Sequence, residues 1–178
     1  ELATAVGAVI LYQLFSHSFI SLFVYSFISF SFLVIFFSDL KYQIIPDSMI
    51  LMSLISTFGL MIFSYNLQPT TYNRLLSALG ASGFLFFLWL VTRGRGMGLG
   101  DVKLAFVIGL FLGFPKTLLA LYFAILTGAI AGVIVVLLRK KSLKSAIAFG
   151  PFLLSGMLFA IVFGESEIIQ SFLKGVIL

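Results

Sequence analysis

Long apolar runs, separated by short polar segments, fill almost the whole sequence. Hydrophobic residues make up 61% of the 178 residues and charged residues only 10%, against about 25% in an ordinary soluble domain. A soluble fold of this length cannot bury so much apolar surface, whereas a lipid bilayer requires no polar exterior across its hydrocarbon core. We therefore expect an all-α fold, a polytopic transmembrane helix bundle surrounded by membrane lipid.

The apolar runs predict about seven spans in a single domain, residues 1–178. The first and fifth are shorter than the about 20 residues that a full crossing needs, and Pro115 is expected to end the fifth. The predicted spans are Leu2–Phe15, Ile20–Ser38, Ser48–Tyr65, Leu75–Thr92, Val102–Phe114, Thr117–Leu138 and Ala146–Phe163.

The basic residues lie mainly in alternate loops. The loops after the second, fourth and sixth spans hold Lys41, Arg93, Arg95, Lys103, Arg139, Lys140, Lys141 and Lys144. The positive-inside rule predicts that these loops, and the N-terminus of the chain, are cytoplasmic. Because this rule explains the net charge of +5, we expect no nucleic-acid partner.

Cysteine is absent and His17 is the single histidine. Disulfides, thiolate metal sites and cysteine nucleophiles are therefore excluded. One histidine cannot form a His-rich metal site alone, so we predict no metal.

Three of the six acidic residues lie inside the predicted bundle: Asp39, Asp47 and Asp101. All three lie at predicted cytoplasmic ends of spans, where a carboxylate at membrane depth is a functional candidate. If the second and fifth spans adjoin, Asp39 and Asp101 can face each other and share one proton. One member can then activate water while the other protonates the carbonyl or the leaving amine.

Helix ends suggest different roles for these acids. Asp39 lies at the electronegative end of its helix and Asp101 at the electropositive end of another, so we predict that Asp39 holds the shared proton and that Asp101 is the base. Asp47 follows Pro46 and precedes an apolar run, which predicts a helix N-cap.

Glycines alternate immediately before Asp101, at positions 94, 96, 98 and 100. Glycine permits close approach of another backbone, which suits an extended peptide beside the carboxylates, but a flexible loop explains the pattern equally well. The predicted substrate-binding residues are Gly98, Gly100 and Lys103.

Two other classes of protein place acidic residues in membrane helices. A small proton- or ion-coupled transporter binds its ion there, but is expected to hold carboxylates near the middle of its spans. A non-catalytic subunit of a secretion or pilus assembly would tolerate the loss of either aspartate. The residue pattern alone leaves peptidase and transporter about equally open.

Four motifs resemble those of bacterial prepilin peptidases, the type IV leader peptidase family. Gly98-Leu99-Gly100-Asp101 matches the Gly-x-Gly-Asp motif of intramembrane aspartic peptidases, and the longer run through Leu104 is closer to the prepilin enzymes. The first aspartate motif of this family resembles two segments here, Phe37-Ser38-Asp39-Leu40-Lys41 and Ile45-Pro46-Asp47. Residues 149–153, Phe-Gly-Pro-Phe-Leu, resemble a Phe-Gly-Pro segment that lies late in the sequences of this family.

This resemblance implies an aspartic endopeptidase with Asp39 and Asp101 as its catalytic pair. Its substrates would be type IV prepilins or pseudopilins, which lose a short basic leader at the cytoplasmic face of the inner membrane. No cofactor is implied for peptide cleavage.

Many members of that family also have an N-terminal cytoplasmic segment with paired Cys-x-x-Cys motifs and N-methylate their product. This sequence has no cysteine and begins with Glu1, so we expect that segment to be absent from it. S-adenosylmethionine is expected only if the full-length protein has a methyltransferase segment.

Overall fold

Helices form nearly all of the chain that the computed structural model describes, which is residues 19–63, 69–94, 97–137 and 148–166. These residues contain six helices and no strand, so the predicted all-α class is confirmed for them. The helices are α1 (Phe19–Tyr42), α2 (Asp47–Phe63), α3 (Pro69–Thr92), α4 (Leu99–Leu112), α5 (Lys116–Leu137) and α6 (Gly150–Phe163). The predicted span Leu2–Phe15, His17 and the basic cluster of residues 139–144 lie outside the described residues.

Three of these helices, α1, α3 and α5, are long and apolar enough to cross a membrane. Only 17–22% of the residues in their apolar windows are buried, so their outward faces carry large apolar side chains that lipid can cover. Helices α2 and α6 are apolar but shorter. The chain is therefore a membrane protein, while the number of seven spans stays a prediction.

Neighbouring helices pack as pairs, α1 with α2, α3 with α4, and α5 with α6. Helices α4 and α6 also contact each other and α1 or α2, which places them at the centre of the bundle. Small residues allow the close approach: a Cβ added to Gly109 of α4 would lie 2.6 Å from the Cα atom of Ala78 in α3. Gly156 of α6 meets the carbonyl of Ala120 in α5 in the same way.

Hydroxyl side chains inside the bundle bond to their own helices. Ser31 donates to the carbonyl of Phe27 at 2.9 Å, Thr57 to that of Ser53 at 2.7 Å, and Thr117 to that of Gly113 at 2.8 Å. This local pairing removes most of the penalty of burying a hydroxyl, so these side chains are structural.

The end of the bundle away from the aspartates is closed by polar contacts. Asn73 of α3 accepts the N–H of Phe114 at 2.9 Å and donates to its carbonyl at 3.1 Å. Lys116 donates to Glu165 at 2.8 Å, and this hydrogen bond lowers the pKa of the Glu165 carboxyl. Helix α4 ends at Leu112, earlier than Pro115 predicted, because Gly113 adopts φ 69° and its N–H bonds to the carbonyl of Gly109.

Candidate active site

Asp39 lies in the last turn of α1, on the face that the bundle buries. Its side chain continues a buried stripe formed by Ile28, Ser31 and Ile35, and only 4% of Asp39 is exposed. The helix runs on to Tyr42, beyond the predicted end at Ser38, and then closes through Gln43. Gln43 adopts φ 54° and donates its N–H to the carbonyl of Asp39 at 2.9 Å, so the chain reverses one turn after the carboxyl group.

Asp101 lies in the first turn of α4. The helix begins after Gly98, whose backbone is extended, and Asp101 is the third helical residue. The carboxyl oxygen Oδ2 of Asp101 accepts the N–H of Gly98 at 3.1 Å, while the N–H of Asp101 bonds to the Gly98 carbonyl at 3.2 Å. This reciprocal contact satisfies an N–H that the helix itself cannot pair, and it fixes the carboxyl group.

A third helix reaches the site through Gly150, the first residue of α6. Pro151 has no N–H, and the N–H groups of Phe152 and Leu153 bond to the carbonyl of Phe149. The N–H of Gly150 instead donates to Oδ2 of Asp39 at 2.9 Å. A Cβ at this position would lie 2.6 Å from the same oxygen, so a side chain does not fit here without a shift.

The two aspartates, predicted from separate spans, come together at one end of the bundle. The side chain of Ile45 lies against both Gly100, the neighbour of Asp101, and Gly150, the partner of Asp39, so the two carboxyl groups are near each other. Both carboxyl groups are buried, and each is held through Oδ2 by one glycine N–H. Two ionised carboxylates at such range are unfavourable, so this arrangement is suited to a pair that shares one proton.

One oxygen of the Asp101 carboxyl group is buried without a hydrogen bond. In the part of the chain that the structure describes, Oδ1 of Asp101 is the one buried side-chain nitrogen or oxygen atom without a hydrogen-bond partner. A buried carboxylate oxygen without a donor is unfavourable. A proton on this oxygen, or a water molecule beside it, would remove that penalty.

The prediction that Asp39 holds the shared proton compared the end of α1 at Asp39 with the start of α4 at Asp101. Asp39 also lies at the N-terminus of α6, where the Gly150 N–H and the helix dipole favour a negative charge. The end of α1 and the start of α6 therefore oppose each other at Asp39, and the prediction did not include the second of these helix ends.

The three predicted substrate-binding residues have different surroundings. Gly98 is exposed, and a Cβ there would lie 3.7 Å from Asp101 Oδ2, which is ordinary contact. Gly100 packs against Ile45, whose Cβ would lie 3.0 Å from an added Cβ. Lys103 forms an ion pair with Asp47 at 2.6 Å, and both side chains are more than half exposed. Their contact with a substrate stays a prediction.

Asp47 does not cap α2 as predicted, because the helix begins at Asp47 itself. The carbonyl of Pro46 accepts the N–H of Ile50 at 3.3 Å, which places Pro46 at the cap position. The carboxylate of Asp47 in the first turn bonds to Lys103 and ties α2 to α4.

Comparison with known proteins identifies the family of this chain. The family model described as the type IV leader peptidase family matches residues 26–133, which include both aspartates. The chain belongs to the type IV leader peptidase family. No solved structure matches it.

Relatives of this leader peptidase family member are named prepilin leader peptidase/N-methyltransferase. The protein of Legionella pneumophila is 36% identical over 136 residues, which cover 74% of this chain and 47% of the relative. The protein of Bacillus subtilis is 31% identical over 144 residues, which cover 80% of this chain and 56% of the relative. The protein of Pseudomonas aeruginosa is 30% identical over 141 residues, which cover 76% of this chain and 47% of the relative. The chain spans about half the length of these relatives.

Two residues of this candidate site were not selected by sequence reasoning. Gly150 was noted as part of the late Phe-Gly-Pro segment, but its N–H, which a helix start leaves without a partner in the helix, was not connected with an aspartate. Ile45 was seen only as part of a motif, since nothing in its sequence neighbourhood indicates contact with Gly100 or Gly150. Among the described residues, no group of three metal-ligating side chains comes together.

Proposed function

We propose that this chain is an aspartic endopeptidase that removes the short basic leader from type IV prepilins or pseudopilins. The observation that carries the proposal is the burial of Asp39 and Asp101 at the same end of the bundle, on separate helices, each with one oxygen held by a glycine N–H. The names of the relatives indicate the substrate class.

The reaction needs one water molecule and one shared proton. The ionised carboxylate removes a proton from water, whose oxygen attacks the scissile carbonyl carbon, while the protonated carboxyl donates to the carbonyl oxygen. The resulting tetrahedral intermediate then collapses: the carboxyl that took the water proton donates it to the leaving amine as the C–N bond breaks, and the other carboxylate takes back a hydroxyl proton of the intermediate, which restores the shared proton. No covalent enzyme intermediate is required, in agreement with a sequence that has no cysteine.

The surroundings of the two carboxyl groups suggest how they divide this work. Asp39 receives the Gly150 N–H at the start of α6, which supports a negative charge. Asp101 keeps Oδ1 buried without a partner, where a proton can be donated to a substrate carbonyl. Asp101 also accepts a glycine N–H at a helix start, so the unpaired Oδ1 is the difference between the two carboxyl groups. On that difference we assign the acid to Asp101 and the base to Asp39, the reverse of the prediction from the two helix ends.

The site is proposed to lie at the cytoplasmic boundary of the inner membrane. Asn73 near the start of α3 is bonded to Phe114 just after α4, so these two helices are level at the far end. With 24 residues α3 is about 36 Å long, whereas α4 with 14 is about 21 Å. Asp101 therefore lies below the end of α3. Lys41, Arg93 and Lys103 lie in or next to the connections at this end of the bundle, which charge predicts to be cytoplasmic.

The transporter alternative is not favoured. It requires a carboxylate along a path through the bundle, whereas Asp39 lies in the last turn of its helix and Asp101 in the first turn of its own. The core below them is apolar, with Leu104, Ile108 and Leu153 fully or almost fully buried.

N-methylation of the product is not part of the proposal for these residues. The relatives named N-methyltransferase are about twice as long as the part that this chain matches. N-methylation remains a proposal only for a protein that contains a methyltransferase segment.

Cleavage of a model prepilin by membranes that contain the protein tests this function. We expect one cut at the end of the leader, before the hydrophobic helix, when the products are identified by mass spectrometry. A substrate that stays intact under conditions in which a known prepilin peptidase cuts it would contradict the proposal.

A further inference from the structure

Ile45 lies in the short connection between α1 and α2, residues 43–46, where its side chain reaches one glycine next to each aspartate site, Gly100 and Gly150. Its Cβ would lie 3.0 Å from a Cβ on Gly100, and its Cδ1 3.3 Å from a Cβ on Gly150. Gly100 immediately precedes Asp101, and Gly150 donates to Asp39. One side chain thus packs against the backbone supports of both carboxyl groups.

We propose that Ile45 is a positioning residue that sets the separation of Asp39 and Asp101. The inference rests on the proposed peptidase activity. Ile45 does not contact the reacting atoms; it keeps the start of α4 and the start of α6 at a fixed distance. Because each carboxyl group is bonded to the glycine at or near that helix start, the separation of the helices determines the separation of the acids.

The connection that holds Ile45 is anchored on both sides. Ser38 donates its hydroxyl to the carbonyl of Ile44 at 2.9 Å. Asp47 is bonded to Lys103 of α4 at 2.6 Å. Ile44 points outward and is 62% exposed, whereas Ile45 is half-buried and packs against the apolar core. The anchors therefore fix which of the two neighbouring isoleucines faces the glycines.

The chemistry of the side chain suits this role. A β-branched side chain has few χ1 states, so Ile45 is a stiffer spacer than Leu or Met would be. The longer branch spans the two glycines, since Cβ and Cγ1 face Gly100 while Cδ1 reaches both. Ile45→Val removes Cδ1, the atom near Gly150, and keeps Cβ beside Gly100. Its effect on cleavage should therefore be smaller than that of Ile45→Ala.

Prepilin cleavage and its pH profile in Ile45→Val and Ile45→Ala test the inference, with Ile50→Ala as the control. Ile50 is a core residue of α2, 7% exposed, and loses the same atoms without being among the nearest neighbours of either glycine. We expect Ile45→Ala to lower kcat about 10- to 100-fold, since a misplacement of about 1 Å can have such an effect. Ile45→Val should be intermediate, and KM should change little.

The pH profile separates positioning from general destabilisation. The two limbs of the profile report the coupled carboxyl pair. A smaller side chain at position 45 lets the two helix starts approach, so the midpoints should move apart in Ile45→Ala but not in Ile50→Ala. Equal kcat losses in both alanine variants with unchanged midpoints would overturn the inference while leaving the peptidase intact. An inactive wild type would instead overturn the proposed function.

Discussion

The N–H of Gly150 donates to Oδ2 of Asp39 at 2.9 Å, so the first residue of α6 holds a carboxyl group in the last turn of α1. The two residues are far apart in the sequence, and the contact forms only because α6 is inserted at the centre of the bundle. It also explains why the residue is glycine, because a Cβ would collide with the oxygen that the N–H holds. The late motif of the sequence is therefore part of the site.

Gly150→Ala should reduce prepilin cleavage about 100-fold or more, because the added methyl group, 2.6 Å from Asp39 Oδ2, must displace either the carboxyl group or α6. Gly83→Ala is the matched control, since a Cβ there has nothing within 4 Å. The control should keep full activity and gain up to about 1 kcal/mol in helix stability. Equal activity in the two variants, measured on folded protein, would argue against the contact.

Gly98→Ala and Gly100→Ala should separate substrate binding from packing. A methyl group fits at Gly98 but lies only 3.0 Å from Ile45 at Gly100. We expect Gly98→Ala to keep its thermal stability and to raise KM, because an extended substrate loses close approach to the backbone. Gly100→Ala should lower both stability and kcat. An unchanged KM in Gly98→Ala would remove that glycine from the predicted substrate-binding set.

Asp47→Asn and Lys103→Gln should both have small effects on folding, since an exposed ion pair contributes about 0–1 kcal/mol. If Lys103 also binds substrate, its loss should raise KM, whereas Asp47→Asn frees the ammonium and should not. Steady-state cleavage kinetics of the two variants give the comparison. The same KM in both would leave Lys103 as a structural partner of Asp47 alone.

The absence of cysteine allows a direct test of topology. Ser48 and Tyr72 are exposed near opposite ends of the bundle, at the starts of α2 and α3. A membrane-impermeant maleimide added to intact cells should label Tyr72→Cys and not Ser48→Cys, and both after lysis. The opposite pattern would place the aspartates on the outer side and contradict the charge-based orientation.

Sequence patterns predicted the parts of this fold that depend on local order. Apolar runs located the six described helices to within a few residues at most ends, because a membrane helix needs a continuous apolar stretch. They failed where a polar start extends a helix, since α3 begins at Pro69 rather than Leu75. They also failed where glycine ends one, since α4 stops before Gly113.

The residues of the candidate site also differ in whether the sequence alone could predict them. Asp39 and Asp101 could be selected from composition, because a carboxylate inside an apolar chain is rare and unfavourable. Gly150 and Ile45 could not, since their importance depends on which helices meet. The division of acid and base also depends on that packing, because α6 brings a second helix end to Asp39.

Cleavage of a model prepilin by Asp39→Asn and Asp101→Asn, beside the wild type and Asp47→Asn, tests the central claim most directly. Asparagine keeps the shape of each side chain but can neither share a proton nor accept one from water. We predict that Asp39→Asn and Asp101→Asn each abolish cleavage, while Asp47→Asn keeps substantial activity and all variants stay folded in the membrane. Cleavage that survives the loss of Asp39 or Asp101 would contradict an aspartic dyad formed by these two residues.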